Sequence, residues 1–319
     1  VPPGHEGVYR PIRGLFYTIY NQLWGSNPIG YHLNSLAVHL ASTILVYLIV
    51  RILIRNLKNV SFPRPPLSFW RPRSAWSIES FFKGRSYRSL RSLQDDVEDR
   101  GNDKKSWLPF TASLLFGLHP IHTESITYIA ASMEMTGVVF FLAAFYVYLK
   151  NRPVWTVFFG LLAFFTYEMT LTLPLLLGLY ELTLGKKNWK KIWPVVIAAV
   201  SYLFIRVGIL GISPSRGDYL AYSFYHTQLA MIKMWVKYIW LLIWPMNLSH
   251  NQTIVPGFEA FMTPYSDLKA ILSQTPLDLP ILLSVSVIFG LIFVAVKLRK
   301  IYPLVTFTIG WFFIRLLAV

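Results

Sequence analysis

Within six residues the chain places two imidazoles, a hydroxyl and a carboxylate: His119-Pro120-Ile121-His122-Thr123-Glu124. This hexad lies between two apolar runs, Trp107 to Leu118 and Ile126 to Leu149. Ionisable groups at membrane depth are expensive, so they line a cavity, pair with one another or do chemistry. Pro120 cannot continue a regular helix from the preceding turn, so a kink or restart is predicted, with the polar side chains on the restart. The blander reading is a polar loop between two spans, although ordinary loops favour Gly and Ser over such a cluster. His-x-x-His-x-Glu also differs from the His-Glu-x-x-His of zinc proteases. Other ionisable groups stand in or beside apolar runs, among them Glu168, Arg10 and Arg206. Glu168 serves either a cavity or a helix cap, and Arg206 either binds a ligand or snorkels to the interface.

These groups need elements to carry them, and the composition says which kind. Of 319 residues, 54% are hydrophobic and 14% charged, against about 25% charged in a soluble domain. Mean hydropathy is +0.46. Continuous apolar runs of about 15–25 residues indicate helical spans, and their lack of alternation argues against a transmembrane β-barrel. The fold expected is therefore all-α and polytopic. No cysteine is present, which excludes thiol catalysis, thiolate metal sites and disulfides. Val1-Pro2-Pro3-Gly4 shows no signal-peptide pattern, and the chain stops inside an apolar run. Both ends read as cut, making this a fragment of a longer protein.

Residues 1–30 carry Arg10 and Arg13 with Phe16, Tyr17, Tyr20 and Trp24 at helical spacing, predicting an interfacial helix that Gly25-Ser26-Asn27-Pro28 ends. Residues 31–319 form the bundle, starting with a span over Tyr31 to Ile54. It is interrupted at 56–106 by a hydrophilic, proline-containing stretch that reads as a disordered basic loop. The net charge is +15, but its placement matters more than its sum. Attraction of the basic loop to anionic headgroups, worth about 1 kcal/mol per basic residue near the surface, is enough to explain that loop, and no nucleic-acid partner is expected.

Basic clusters at 51–55, 150–152, 186–191 and 297–300 are assigned to the cytoplasm by the positive-inside rule. Residues 154–184 then form a hairpin with its apex near Tyr167-Glu168. Leu229 to Trp244 lies in the interface or re-enters, and roughly seven crossings result. On this map Arg10, Arg13, His119, His122, Glu124, Glu134, Glu168, Arg206 and His250 collect on the outer side. His32 and His39 read as helix-packing donors, and Glu134 as a salt-bridge or capping residue.

Tyr9-Arg10-Pro11, Gly30-Tyr31-His32-Leu33-Asn34 with Val38-His39, the hexad, Tyr167-Glu168, and Arg206 with Gly208 and Gly211 together resemble one family. It is the membrane region of the transmembrane, tetratricopeptide-repeat-containing O-mannosyltransferases and their prokaryotic relatives. The resemblance covers nearly all of the chain outside 56–106. It implies a GT-C-type helical bundle with an outward-facing cavity, in the plasma membrane of a prokaryote or the endoplasmic reticulum of a eukaryote. Such an enzyme moves a sugar from a polyprenyl-phosphate carrier to a protein acceptor on the non-cytoplasmic side. By that likeness His119, His122, Glu124 and Glu168 are the catalytic candidates, and Arg10 and Arg206 the donor-phosphate ligands. The cofactor is undefined, and a divalent metal on His119, His122 and Glu124 is one option. The acidic residue that serves as base in such enzymes is expected before Val1. The chain departs from the family pattern at Tyr167, where Lys is common, and at Asn251-Gln252, where an Asp followed by an aromatic is common. Two other classes use the same residues: a transporter or flippase of a lipid-linked or anionic solute, and a non-catalytic anchor for a repeat domain.

Overall fold

The computed structural model describes residues 9–58, 107–212, 224–246, 248 and 275–316. The disordered loop expected at 56–106, His250, and Asn251-Gln252 lie largely or wholly outside the described residues.

All described regular elements are helical. Pro11, whose fixed φ suits a first helical turn, opens α1 (Pro11–Trp24) with Arg10 at its N-cap. Gly25 ends it at φ +55°, a conformation that glycine adopts without strain. Asn27 then accepts the Ile29 N–H at 3.0 Å, starting α2 (Pro28–Lys58). The next helices are α3 (Trp107–Leu118), a 3₁₀ turn at Pro120–His122 and the short α4 (Thr123–Thr127). The restart at Pro120 is as expected. The single helix expected from Ile126 is not, because Tyr128 is extended and α5 (Ile129–Leu149) begins after it.

Residues 154–184 form the hairpin foreseen: α6 (Pro153–Thr166), a 3₁₀ turn at Glu168–Thr172, and α7 (Leu173–Thr183). Then come α8 (Trp193–Leu203) with a π-helical extension at Phe204–Ile209, α9 (Phe224–Ile243), α10 (Leu279–Leu298) and α11 (Pro303–Leu316).

Among the described residues, four helices are long and apolar enough to cross a bilayer: Pro28–Asn56, Ile129–Leu149, Trp189–Ile209 and Leu279–Leu298. Three shorter apolar helices accompany them: Trp107–Leu118, Pro153–Thr166 and Pro303–Leu316. Leu33, Leu36, Leu40 and Ile44 of α2, and Phe289, Phe293 and Val296 of α10, are exposed. Such apolar faces are liabilities in water and ordinary against lipid.

The core is centred on α5, α6, α7 and α8, with α11 against it: Phe145, Phe164, Leu173, Leu176, Leu177, Tyr202 and Phe307 are almost fully buried. Lipid offers helices no hydrophobic drive to associate, so close packing and interhelical hydrogen bonds must hold them. Ala144 and Ala163 let backbones approach. Buried Tyr148 donates to Glu181 Oε1 at 2.7 Å, whose Oε2 accepts the Asn188 N–H at 2.9 Å. His39 bonds the Gly117 carbonyl at 2.9 Å, joining α2 to α3 as a packing donor, while His32 is exposed.

Candidate functional site

Arg10 is held at the start of α1 from several sides. Its guanidinium grips Glu168 through two nitrogens, Nε to Oε2 and Nη2 to Oε1 at 2.7 Å, and its Nη1 donates to Glu134 Oε1 at 2.8 Å. Arg13, one turn along α1, donates to the same Glu134 oxygen at 3.1 Å. Below, the Arg10 guanidinium lies 5.2 Å from the centre of the Tyr167 ring. The backbone next to Arg10 is tethered too, because Tyr202 of α8 donates to the Tyr9 carbonyl at 3.2 Å. Bidentate, charge-assisted pairs of this kind are the strongest and most directional hydrogen bonds a protein makes.

The elements make this meeting possible. Glu134 projects from the second turn of α5, and Glu168 begins the 3₁₀ turn between α6 and α7. Gly137, one turn after Glu134, lets that turn in: a Cβ there would sit 2.6 Å from the Tyr167 Cβ. Arg206 is buried within the π-helical extension of α8, the irregularity that most often marks functional positions in helices. It hydrogen-bonds Tyr202 and lies within electrostatic reach of Glu168. Arg315 of α11 ties down the far side of the turn, its Nη1 donating to the Met169 carbonyl and the Thr172 hydroxyl, each at 2.9 Å.

Burial alone would raise the Glu168 carboxyl. The Arg10 hydrogen bonds, the attraction of Arg10 and that of Arg206 outweigh it and hold the carboxyl below the usual glutamate range. Burial likewise favours neutral Arg10, but Glu168 and Glu134 reverse this and hold it charged. Burial and the nearby Glu134 raise the Tyr167 phenol, keeping it protonated. Four guanidiniums (Arg10, Arg13, Arg206 and Arg315) against two carboxylates leave the region positively charged.

The hexad forms a second group. His122 packs against Phe116 and His39, ring centres 4.5 and 5.2 Å away. Burial, with the electrostatic influence of His39 and His119, lowers its pKa to about 4. His119 Nδ1 accepts the Ile121 N–H at 3.2 Å and its Nε2 meets the Leu242 carbonyl at 3.1 Å. Both ring nitrogens are thus engaged, one as acceptor and one as donor, which leaves His119 no lone pair for a metal. Among the described residues no three His, Asp or Glu converge as a metal site. Glu124 is exposed on the first turn of α4.

The single hollow expected from the sequence is therefore two groups. Arg10, Glu168 and Arg206 come together, closed by their own ion pairs. His119 and His122 gather instead with His39. Glu134, foreseen as a salt-bridge residue, proves central, and Arg13 joins it. Arg315 was missed; an arginine inside a short apolar helix was the available signal.

Fold and site together define an all-α, polytopic membrane protein with a part-buried cluster of ion pairs where several helices end. No family model and no solved structure matches it. Among characterised proteins, the chain is 29% identical over 160 residues to the protein O-mannosyl-transferase Tmtc3 of Drosophila melanogaster, covering 48% of this chain and 14% of that one. It is 24% identical over 197 residues to the protein O-mannosyl-transferase F38B6.6 of Caenorhabditis elegans, covering 58% and 27%. With the protein O-mannosyl-transferase Tmtc1 of Drosophila melanogaster it shares 22% over 286 residues, covering 79% and 28%. The matches span less than a third of the length of these relatives. All of them carry the same enzyme name, which bears out the family resemblance read from the sequence.

Proposed function

We propose that this chain is the membrane portion of a GT-C-type glycosyltransferase. In this reading it moves a mannose-type sugar from a polyprenyl-phosphate carrier to a protein acceptor on the non-cytoplasmic side of the membrane. The observation that carries the reading is the Arg10–Glu168–Glu134–Arg13 cluster with Arg206 beside it. Its excess of positive charge suits the negative charge of a phosphodiester-linked sugar. Arg10 and Arg206 are the phosphate ligands, since a planar guanidinium meets phosphate oxygens two at a time.

Glu168 takes a different part from a general base. Both its oxygens are occupied by Arg10, and its carboxyl is held below the usual range, whereas an effective base has a pKa near the operating pH. Its role is to aim Arg10. His122, neutral above about pH 4, offers a hydrogen bond to a sugar or acceptor hydroxyl, with Glu124 and His119 holding the loop that carries it.

The test is transfer of radiolabelled mannose from a polyprenyl-phosphate donor to protein, in membranes containing the full-length enzyme. Arg206→Ala should cost about ten- to a hundredfold in transfer, the worth of a hydrogen bond to a charged group. Glu124→Gln should cost less. Undiminished transfer by both variants would remove this face from the mechanism.

A further inference from the structure

A second polar feature lies far from Arg10 and Glu168. Arg51, Arg55, Leu48 and Ile52 of α2 meet Tyr146 and Lys150 of the α5 end around a cavity of about 190 Å³. Lys150 is sixteen residues beyond Glu134 along α5, about 24 Å at helical rise, so the cavity sits at the opposite end of that helix. Three positive charges converge here and no carboxylate lines the space. Among the described residues, none of the three forms an ion pair. Arg51 and Arg55 are four apart on one helix, a spacing at which like charges destabilise a helix by about 0.2–0.5 kcal/mol. Lys150 is stationed 5.7 Å from the Tyr146 ring, adding a third. Among the described residues no carboxylate offsets these charges, so an anion entering the cavity would relieve their repulsion.

The lining is graded as well as charged. The cations stand at the last turns of two helices long enough to span a bilayer, Pro28–Asn56 and Ile129–Leu149. That is the depth at which lipid headgroups lie. Leu48 and Ile52 continue the wall toward the hydrocarbon. A free phosphate would use the cations alone, whereas an amphiphile uses both parts of the wall. We propose that this cavity binds the phosphate headgroup of an anionic glycerophospholipid, seated between α2 and α5 on the lysine-rich side of the membrane, as basic pockets between spans do elsewhere. The site is independent of the transferase reading and would exist in a silent anchor too.

The probe is phosphatidic acid, titrated into the purified full-length protein in neutral detergent and read by native mass spectrometry, with phosphatidylcholine and inorganic phosphate as parallel arms. Wild type should retain phosphatidic acid over phosphatidylcholine. Arg51→Ala and Arg55→Ala should each weaken it about fivefold. Arg51→Lys with Arg55→Lys should keep most of the binding, which separates lost charge from lost fold. Lys187→Ala with Lys190→Ala, on a different basic turn, should leave it unchanged. Equal weakening by the Lys187/Lys190 variant would show diffuse attraction and overturn the site. Full competition by millimolar inorganic phosphate would overturn the lipid assignment.

Discussion

Arg10 and His122 show how neighbours set the charge of a basic side chain in opposite directions. Arg10 is half-buried yet firmly charged because two carboxylates meet it, while His122 is half-buried among rings and other imidazoles and stays neutral. The imidazole has a measurable consequence. Its pKa, about 4 when folded and near 6.5 when unfolded, means the unfolded chain takes up the proton first. The stability this contributes is present above pH 6.5 and lost as pH falls from 6.5 toward 4. His122→Gln should flatten the fall of the thermal midpoint across that window; an unchanged pH profile would show that His122 is not the group responsible. At this scale the sequence was half legible. The hexad, Arg10, Glu168 and Arg206 stand out because charge is rare in apolar surroundings. Which of them touch was hidden, since Arg10 and Glu168 are 158 positions apart and only tertiary packing joins them.

Elements decide those meetings, and here the departures from regular helix matter most. The 3₁₀ turn at Glu168–Thr172 and the π-helical turn at Phe204–Ile209 each carry a charged member of the cluster. The extended Tyr128 divides the hexad helix from α5. Helix existence was readable from apolar runs, and the restart after α3 from Pro120, whereas Pro28, read as ending the first helix, instead opens α2. The break at Tyr128 and the π turn were not readable, because no proline or glycine precedes either one closely and packing sets them. Gly137 is the element-scale device on which the site leans. Gly137→Ala would press a methyl into the Tyr167 backbone and Cβ, forcing the Glu168 turn away from α5. Overpacking of this kind costs roughly 1–3 kcal/mol, which a denaturation series in detergent should report, with Gly290→Ala, in open space, as the silent control. A neutral Gly137→Ala would mean that the turn has room to move.

Across the whole molecule, charge is sorted by end. Paired guanidiniums and carboxylates occupy the region where α1, α5, α6 and α8 meet, while Arg51, Arg55 and Lys150, which no carboxylate opposes among the described residues, stand about 24 Å away along α5. The class of fold was legible in composition alone, since continuous apolar runs with few charges leave a helical membrane bundle as the economical solution. The division of the polar residues into two groups was not, because both lie on the same predicted face and the packing of His122 against Phe116 and His39 is a tertiary contact. Central to the account is that Arg10, aimed by Glu168, is the grip on the lipid phosphate. The direct measurement is the affinity of the purified full-length protein for polyprenyl monophosphate. Arg10→Ala should lose about ten- to a hundredfold, whereas Glu168→Gln, which frees the guanidinium from its carboxylate, should bind at least as tightly as wild type while transferring sugar slowly. Wild-type affinity in Arg10→Ala would contradict the account.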